Sequence, residues 1–188
     1  MNKNRLTPLL YCALILLALW RLPAQADYSD RQFAQFASDG GTVAFISAGV
    51  LLPLARDGRD GKDHALRTAD ALGVTTLLAE GLKRIVRERR PEGDSRTSFP
   101  SEHAATAFSV ATAESHFHPK EAPYWYGGAA LIAWSRVRLD RHYTHDIVAG
   151  AALGYFTTRY ALSRPRGIIL TPLIPAHGGV GLQAMKAF

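Results

Sequence analysis

Three short segments hold the side chains that can do chemistry. "KRIVRERRP" (83–91) concentrates cations, "PSEH" (100–103) sets a hydroxyl, a carboxylate and an imidazole behind a proline, and "SRVRLDRHYTHD" (135–146) carries Arg136, His142, His145 and Asp146. Pro100-Ser101 reads as a helix start, and the alanine-rich run behind it supports a helix. The first turn of a helix leaves backbone N–H groups without partners, and these attract anions. His103 adds a proton donor beside that turn. At i, i+4 spacing Asp146 can reach the His142 ring, fix its tautomer and orient its other nitrogen. Lys83, Arg87 and Arg90, spaced i, i+4, i+7, are expected on one helical face, with Arg84 and Glu88 paired on another. Arginine forks match phosphate oxygens, and an imidazole with a pKa of about 6.5 serves as base or acid at working pH. This inventory suits phosphoryl transfer.

Each segment alone has a plainer reading: a capped helix with an exposed His, a solvated basic face at a helix C-terminus, and a surface His–Asp pair worth little. A zinc site on His142, His145 and Asp146 has weak support, because the i, i+3 histidines come without an HExxH pattern or a cysteine.

Helices from several parts of the chain must bring these groups together. Residues 29–38 read as a short amphipathic helix with Phe33 and Phe36, broken by Gly40-Gly41. Residues 42–55 read as a buried apolar helix with Pro53 near its end, followed by the polar loop "RDGRDGKD" (56–63). One long helix is expected over 64–89, bent at Gly73. "RPEGDSRTSF" (90–99) is a loop marked by Pro91 and Gly93. Further helices are expected at 101–115, 122–138 and 142–162, the last opened by His142. The fold class is therefore all-α, a bundle of about six helices. Residues 165–188, with Pro172 and Pro175, read as an irregular tail. The apolar stretches near 42–55, 124–134 and 147–156 are shorter than the roughly 20 residues needed to span a bilayer. They are expected to be core helices of a water-soluble bundle.

The first 26 residues have the order of a secretory signal: Lys3 and Arg5, an apolar run over 9–20, then Ala24-Gln25-Ala26. That run reaches about 18 Å as a helix, short of the roughly 30 Å hydrocarbon core. Cleavage after Ala26 is therefore expected, leaving one domain over 27–188, in the periplasm if the signal is bacterial. Cys12 is the one cysteine of the 188 residues, so the mature chain would have neither disulfides nor thiol chemistry. The net charge of +6 favours anionic partners, but apart from "KRIVRERR" no basic block points to nucleic acid.

Lys-x6-Arg-Pro (Lys83 to Pro91), Pro-Ser-x-His (Pro100 to His103) and Ser-Arg-x5-His-x3-Asp (Ser135 to Asp146) together resemble a known three-part signature. It is that of the type 2 phosphatidic acid phosphatase (PAP2) superfamily, which includes bacterial class A acid phosphatases and vanadium-dependent haloperoxidases. The region covers about a third of the chain, and the following "IVAGAALGY" is similar to the family's usual helix continuation. The resemblance implies that His142 attacks phosphorus to form a phosphohistidine, that Asp146 holds its tautomer, and that His103 protonates the leaving oxygen and later activates water. Lys83, Arg90, Ser101 and Arg136 would hold the phosphate oxygens, helped by the backbone N–H groups at the start of the 101–115 helix. It further implies no metal or cofactor, inhibition by vanadate, and a phosphorylated lipid or soluble phosphomonoester as substrate, with peripheral membrane contact for a lipid.

One position departs from the pattern. Glu102 stands where the family usually has Gly. A required positive φ would cost Glu on the order of 1 kcal/mol or more. Otherwise its side chain can turn away and leave the amide free for phosphate. The expectation is that Glu102 points outward to Arg87 or Arg96. The alternatives are a phosphate-headgroup binding protein with catalysis impaired by Glu102, and a vanadate-dependent haloperoxidase.

Overall fold

The computed structural model describes residues 28–165 and 167–170. The signal and its cleavage point, Cys12 and most of the expected tail lie outside the described residues. The elements run α1 (Tyr28–Ser38), α2 (Gly40–Arg56), α3 (Gly61–Val86), α4 (Glu102–Phe117), a 3-10 turn (Pro119–Glu121), α5 (Ala122–Arg138) and α6 (Thr144–Ser163). The fold is all-α, with no strand among the described residues. Only Asp39 separates α1 from α2, so Ser29–Arg56 is nearly one run. Gly40 and Gly41, expected as the break, instead form the first turn of α2. Glycine weakens a helix by about 1 kcal/mol but does not forbid one.

Helix α4 is the centre. Every residue from Ala104 to Glu114 is buried, because α3, α5 and α6 surround it and α2 lies against it. Its small side chains allow close approach. A Cβ on Gly150 of α6 would lie 2.3 Å from the Ser101 carbonyl oxygen, and one on Gly154 would lie 2.1 Å from that of Ala105. Hydroxyls inside this contact satisfy one another: Ser109 Oγ and Thr158 Oγ1 are 2.7 Å apart. Phe108, Trp125, Tyr126, Ile132 and Ile147 fill the adjoining core. Burying such large side chains contributes about 1.5–3 kcal/mol each.

Several expected boundaries move. Helix α3 ends at Val86, where Arg87 adopts a left-handed conformation and donates its N–H to the Lys83 carbonyl. Arg87 and Arg90 therefore leave the helical face of Lys83, and the helical Arg84–Glu88 pair does not form. Helix α3 runs through Gly73 uninterrupted. His142 precedes α6, which Tyr143 caps. Asp70, on α3, accepts backbone N–H bonds from Ile168, Ile169 and Leu170 at 2.6–2.8 Å, so the start of the tail is docked.

Helix α2 differs most from expectation. It fully buries only Thr42, Gly49 and Pro53, while Val43, Leu51, Leu52 and Leu54 face outward. By length and composition Ser29–Arg56 is apolar enough to cross a membrane, and only 28% of its most apolar window is buried. Apolar composition had suggested a core position, but the helix contacts its neighbours along one narrow stripe.

The α4–α6 contact is testable by one methyl group. Gly154→Ala should destabilise the fold by about 1–3 kcal/mol through overpacking against backbone. Gly81→Ala, which meets nothing within 4 Å, should be neutral or stabilising by up to about 1 kcal/mol. Thermal unfolding of the pair checks this; equal effects would contradict the close crossing.

Candidate active site

One end of the bundle gathers the residues singled out in the sequence. Lys83 comes from the last turn of α3, and Arg90 from the following loop. Ser101, Glu102 and His103 form the start of α4. Arg136 lies in the last turn of α5, His142 in the next loop and Asp146 in the first turn of α6.

Asp146 ties three of these segments together. Its Oδ2 accepts from Ser98 Oγ at 2.5 Å and from the Tyr143 N–H at 2.9 Å, and its carbonyl accepts from the Ser101 N–H at 3.1 Å. The carboxylate is fully buried. Burial pushes its pKa up, but the adjacent His142 ring and hydrogen bonds from Ser98 and the Tyr143 N–H outweigh that and hold it below the usual carboxylate range. His142 Nδ1 lies 3.4 Å from Oδ2. Its alignment falls short of a hydrogen bond, so this buried nitrogen has no partner among the described residues. The contact is electrostatic orientation at a distance that a small ring rotation would close.

The cations surround the two imidazoles. Arg136 is buried, donates from Nη1 to Ser38 Oγ, and leaves its Nε without a partner among the described residues. Arg90 Nε is likewise buried and unpartnered, while its Nη1 lies 3.9 Å from Glu92. Ser101 is the buried N-cap of α4, and its Oγ accepts from the Ala104 N–H at 3.5 Å. Mutual electrostatics place these groups within reach of one another. Burial, then the charges of Arg136, His142 and Lys83, lower His103 to about 4. Burial, with Arg136 and Arg90, pushes His142 down, against the opposing pull of Asp146. Burial and the neighbouring Arg90 and Arg141 lower even Arg136 to about 10.

Glu102 corrects an expectation. It does not turn out to Arg87 or Arg96. Its Oε2 lies 2.6 Å from Lys83 Nζ, which also contacts Glu80 Oε1 at 2.7 Å. Lys83 is thus held between two carboxylates at the edge of the site. The His142–His145–Asp146 zinc grouping, which the spacing supported only weakly, does not form among the described residues. His145 is exposed and pairs with Glu88 at 2.9 Å, and the trio close enough to share a cation is Glu88, His145 and Asp146. Ser98, Glu80 and Ser38 escaped the sequence reading. Each acts by fixing another side chain, and no spacing rule marks such residues.

An apolar cavity of about 270 Å³ adjoins this end, lined by residues that include Leu82, Phe99, Pro100, Ala149, Leu153 and Phe156. Leu82 and Pro100 immediately precede Lys83 and Ser101 in the chain, so the apolar wall and the cationic pocket share their supports.

Comparison with known proteins agrees with this arrangement. Over 103 residues the chain is 31% identical to a lipid A 1-phosphatase from Porphyromonas gingivalis, an alignment covering 52% of this chain and 23% of that protein. The chain thus spans about a quarter of the length of that relative. No solved structure matches it. Residues 65–167, which contain all the clustered side chains from Lys83 to Asp146, match the PAP2 superfamily over more than half of the chain, and the protein belongs to that superfamily.

Proposed function

We propose that the protein hydrolyses a phosphoric ester of a lipid, with His142 as nucleophile. The observation that carries this reading is the pair of buried guanidinium nitrogens without a partner among the described residues, Arg90 Nε and Arg136 Nε, beside two imidazoles lowered by burial and by Arg136, with Arg90 acting on His142 as well. A buried donor without a partner costs about 1–3 kcal/mol, more when charged. A phosphate has several charged oxygens and can satisfy both arginines, Ser101 and the first amides of α4 together.

The steps follow from the groups. His142 Nε2 attacks phosphorus, and the bond from phosphorus to the lipid oxygen breaks. His103 donates a proton to that oxygen. Asp146, beside Nδ1, stabilises the charge developing on the imidazole. Water, deprotonated by His103, then attacks the phosphohistidine and releases inorganic phosphate. His103 lies at about 4 before substrate binds. The phosphate dianion offsets Arg136 and Lys83 and raises it, so the acid forms where it is needed.

The apolar cavity beside the site supports a lipid over a soluble ester, as does the likeness to a lipid A 1-phosphatase. Exposed apolar side chains on α2, α3 and α6, among them Leu51, Leu77, Ile85 and Phe156, support contact with a lipid surface. With the signal-like N-terminus, this favours an exported enzyme of the cell envelope. The Lys83–Glu102 pair favours a second reading, a phosphate-headgroup binding protein with weak or no turnover.

Turnover decides between the two. Phosphorylated lipid in mixed micelles should be hydrolysed faster than a soluble monoester, with EDTA present and with vanadate inhibiting. His142→Ala should lower kcat by roughly 10³-fold or more while phosphate still binds. Phosphate binding by the wild-type protein without turnover would establish the second reading.

Glu102→Gln should remove one of the two carboxylates that hold Lys83, leaving Glu80, and lower KM for the phosphorylated lipid up to about tenfold, equivalent to ~1.4 kcal/mol. A gain of several orders of magnitude in kcat would show the natural chain to be catalytically crippled.

The depressed imidazoles also set a pH dependence. With His103 at about 4 when folded and ~6.5 when unfolded, the unfolded chain takes the proton first as pH falls. Stability from this group should therefore be nearly complete above ~6.5 and fall by up to about 3 kcal/mol on the way to pH 4. Urea unfolding of wild type against His103→Gln isolates this effect; identical slopes would contradict it.

A further inference from the structure

The far end of the bundle carries a second cluster that phosphoryl transfer does not use. It joins the α2–α3 corner to the α4–α5 corner. Asp57, at the end of α2, lies 2.7 Å by Oδ2 from His64 Nδ1 on α3 and 3.1 Å by Oδ1 from His118 Nε2 after α4. One ligand atom from each of the three lies within 4.8 Å of the other two. The corner is tight. Gly58 has a φ of +59°, and a Cβ on Gly61 would lie 2.2 Å from the Pro53 carbonyl oxygen. The His64 ring is stacked on Phe117 at 4.0 Å, and His118 meets it edge-on.

We propose that His64 Nδ1, His118 Nε2 and the Asp57 carboxylate bind a divalent transition-metal ion, Zn2+ in particular, which pins the two corners together. Two imidazoles and one carboxylate suit zinc rather than magnesium or calcium. In a tetrahedron with bonds of about 2.0–2.1 Å, neighbouring ligand atoms stand about 3.3 Å apart. The contacts of 2.7 and 3.1 Å run to the two oxygens of Asp57, so the carboxylate would turn one oxygen to the ion and the ring nitrogens would move outward by about half an ångström.

An independent observation points the same way. Glu114 is fully buried, and its Oε1 has no partner among the described residues. Its Oε2 lies 3.3 Å from His118 Nδ1. A carboxylate behind a ligating imidazole is the arrangement that holds its tautomer at a metal site. Metal on Nε2 sends the His118 proton to Nδ1, where Glu114 accepts it. Arg56 Nη2, which can only donate, is hydrogen-bonded to the same nitrogen at 3.2 Å, so metal on Nε2 would require His118 to change tautomer and Arg56 to keep only its bonds to Glu114 and Glu121 at 3.1 Å. One side of the metal remains open to water, since both histidines are about one-fifth exposed.

The test uses the full chain. Elemental analysis after dialysis against Zn2+ should show tight uptake at the far end, and the wild-type protein's Tm should rise with added zinc. His118→Gln and Asp57→Asn should lose that uptake. His145→Ala, at the other end of the bundle, should keep it. Ring nitrogen NMR of the wild-type protein should show His64 and His118 shifting with zinc, a readout that needs no variant to fold. Absence of zinc uptake, or uptake that leaves those two rings unmoved, would overturn the proposal. Lipid phosphate turnover by His118→Gln stands apart from both outcomes, so this inference and the proposed function fail separately.

Discussion

The site depends on a single buried carboxylate. Asp146 accepts from the loop through Ser98, from its own helix through the Tyr143 amide, and through its carbonyl from the N-cap of α4. An ionised carboxylate without water must be hydrogen-bonded, so each bond also fixes a segment. The segments that bring Ser101 and His103 on one side and His142 on the other are thereby held together before any ligand arrives. Preorganisation of this kind lets fixed groups stabilise developing charge without rearranging.

The packing of α4 serves the same end. A helix of small residues lets α6 approach until Gly150 and Gly154 touch its backbone. Larger side chains there would move the N-terminus of α6, and with it Asp146, away from Ser101. Closeness in the core thus becomes closeness of charge at the tip. The two arginines, the lysine and the two histidines repel one another there, as the lowered imidazoles show. Core burial elsewhere must outweigh that repulsion, a common relation between stability and active sites. Lys83 has the closest anionic partners of these cations, Glu80 and Glu102, at 2.7 and 2.6 Å. Their carboxylates neutralise much of its charge at the edge of the site.

The sequence by itself determined the helical class, the positions of most helices, the three chemical segments and the capping role of Ser101. These follow from local rules: periodicity, caps and the residue types that can bear charge and protons. Only the tertiary structure decided that Lys83 pairs with Glu102, that Ser98 holds Asp146, that α2 turns its apolar face outward, and that His64 and His118 meet over Asp57. Arg87 shows the limit at the smallest scale: one left-handed residue ended α3 early and removed Arg90 from the face its spacing had assigned. The physical reason is that helix propensity is local, whereas a side chain's partner depends on which other helix lies opposite it. That is set by the packing of the whole bundle, in which residues tens of positions apart become neighbours.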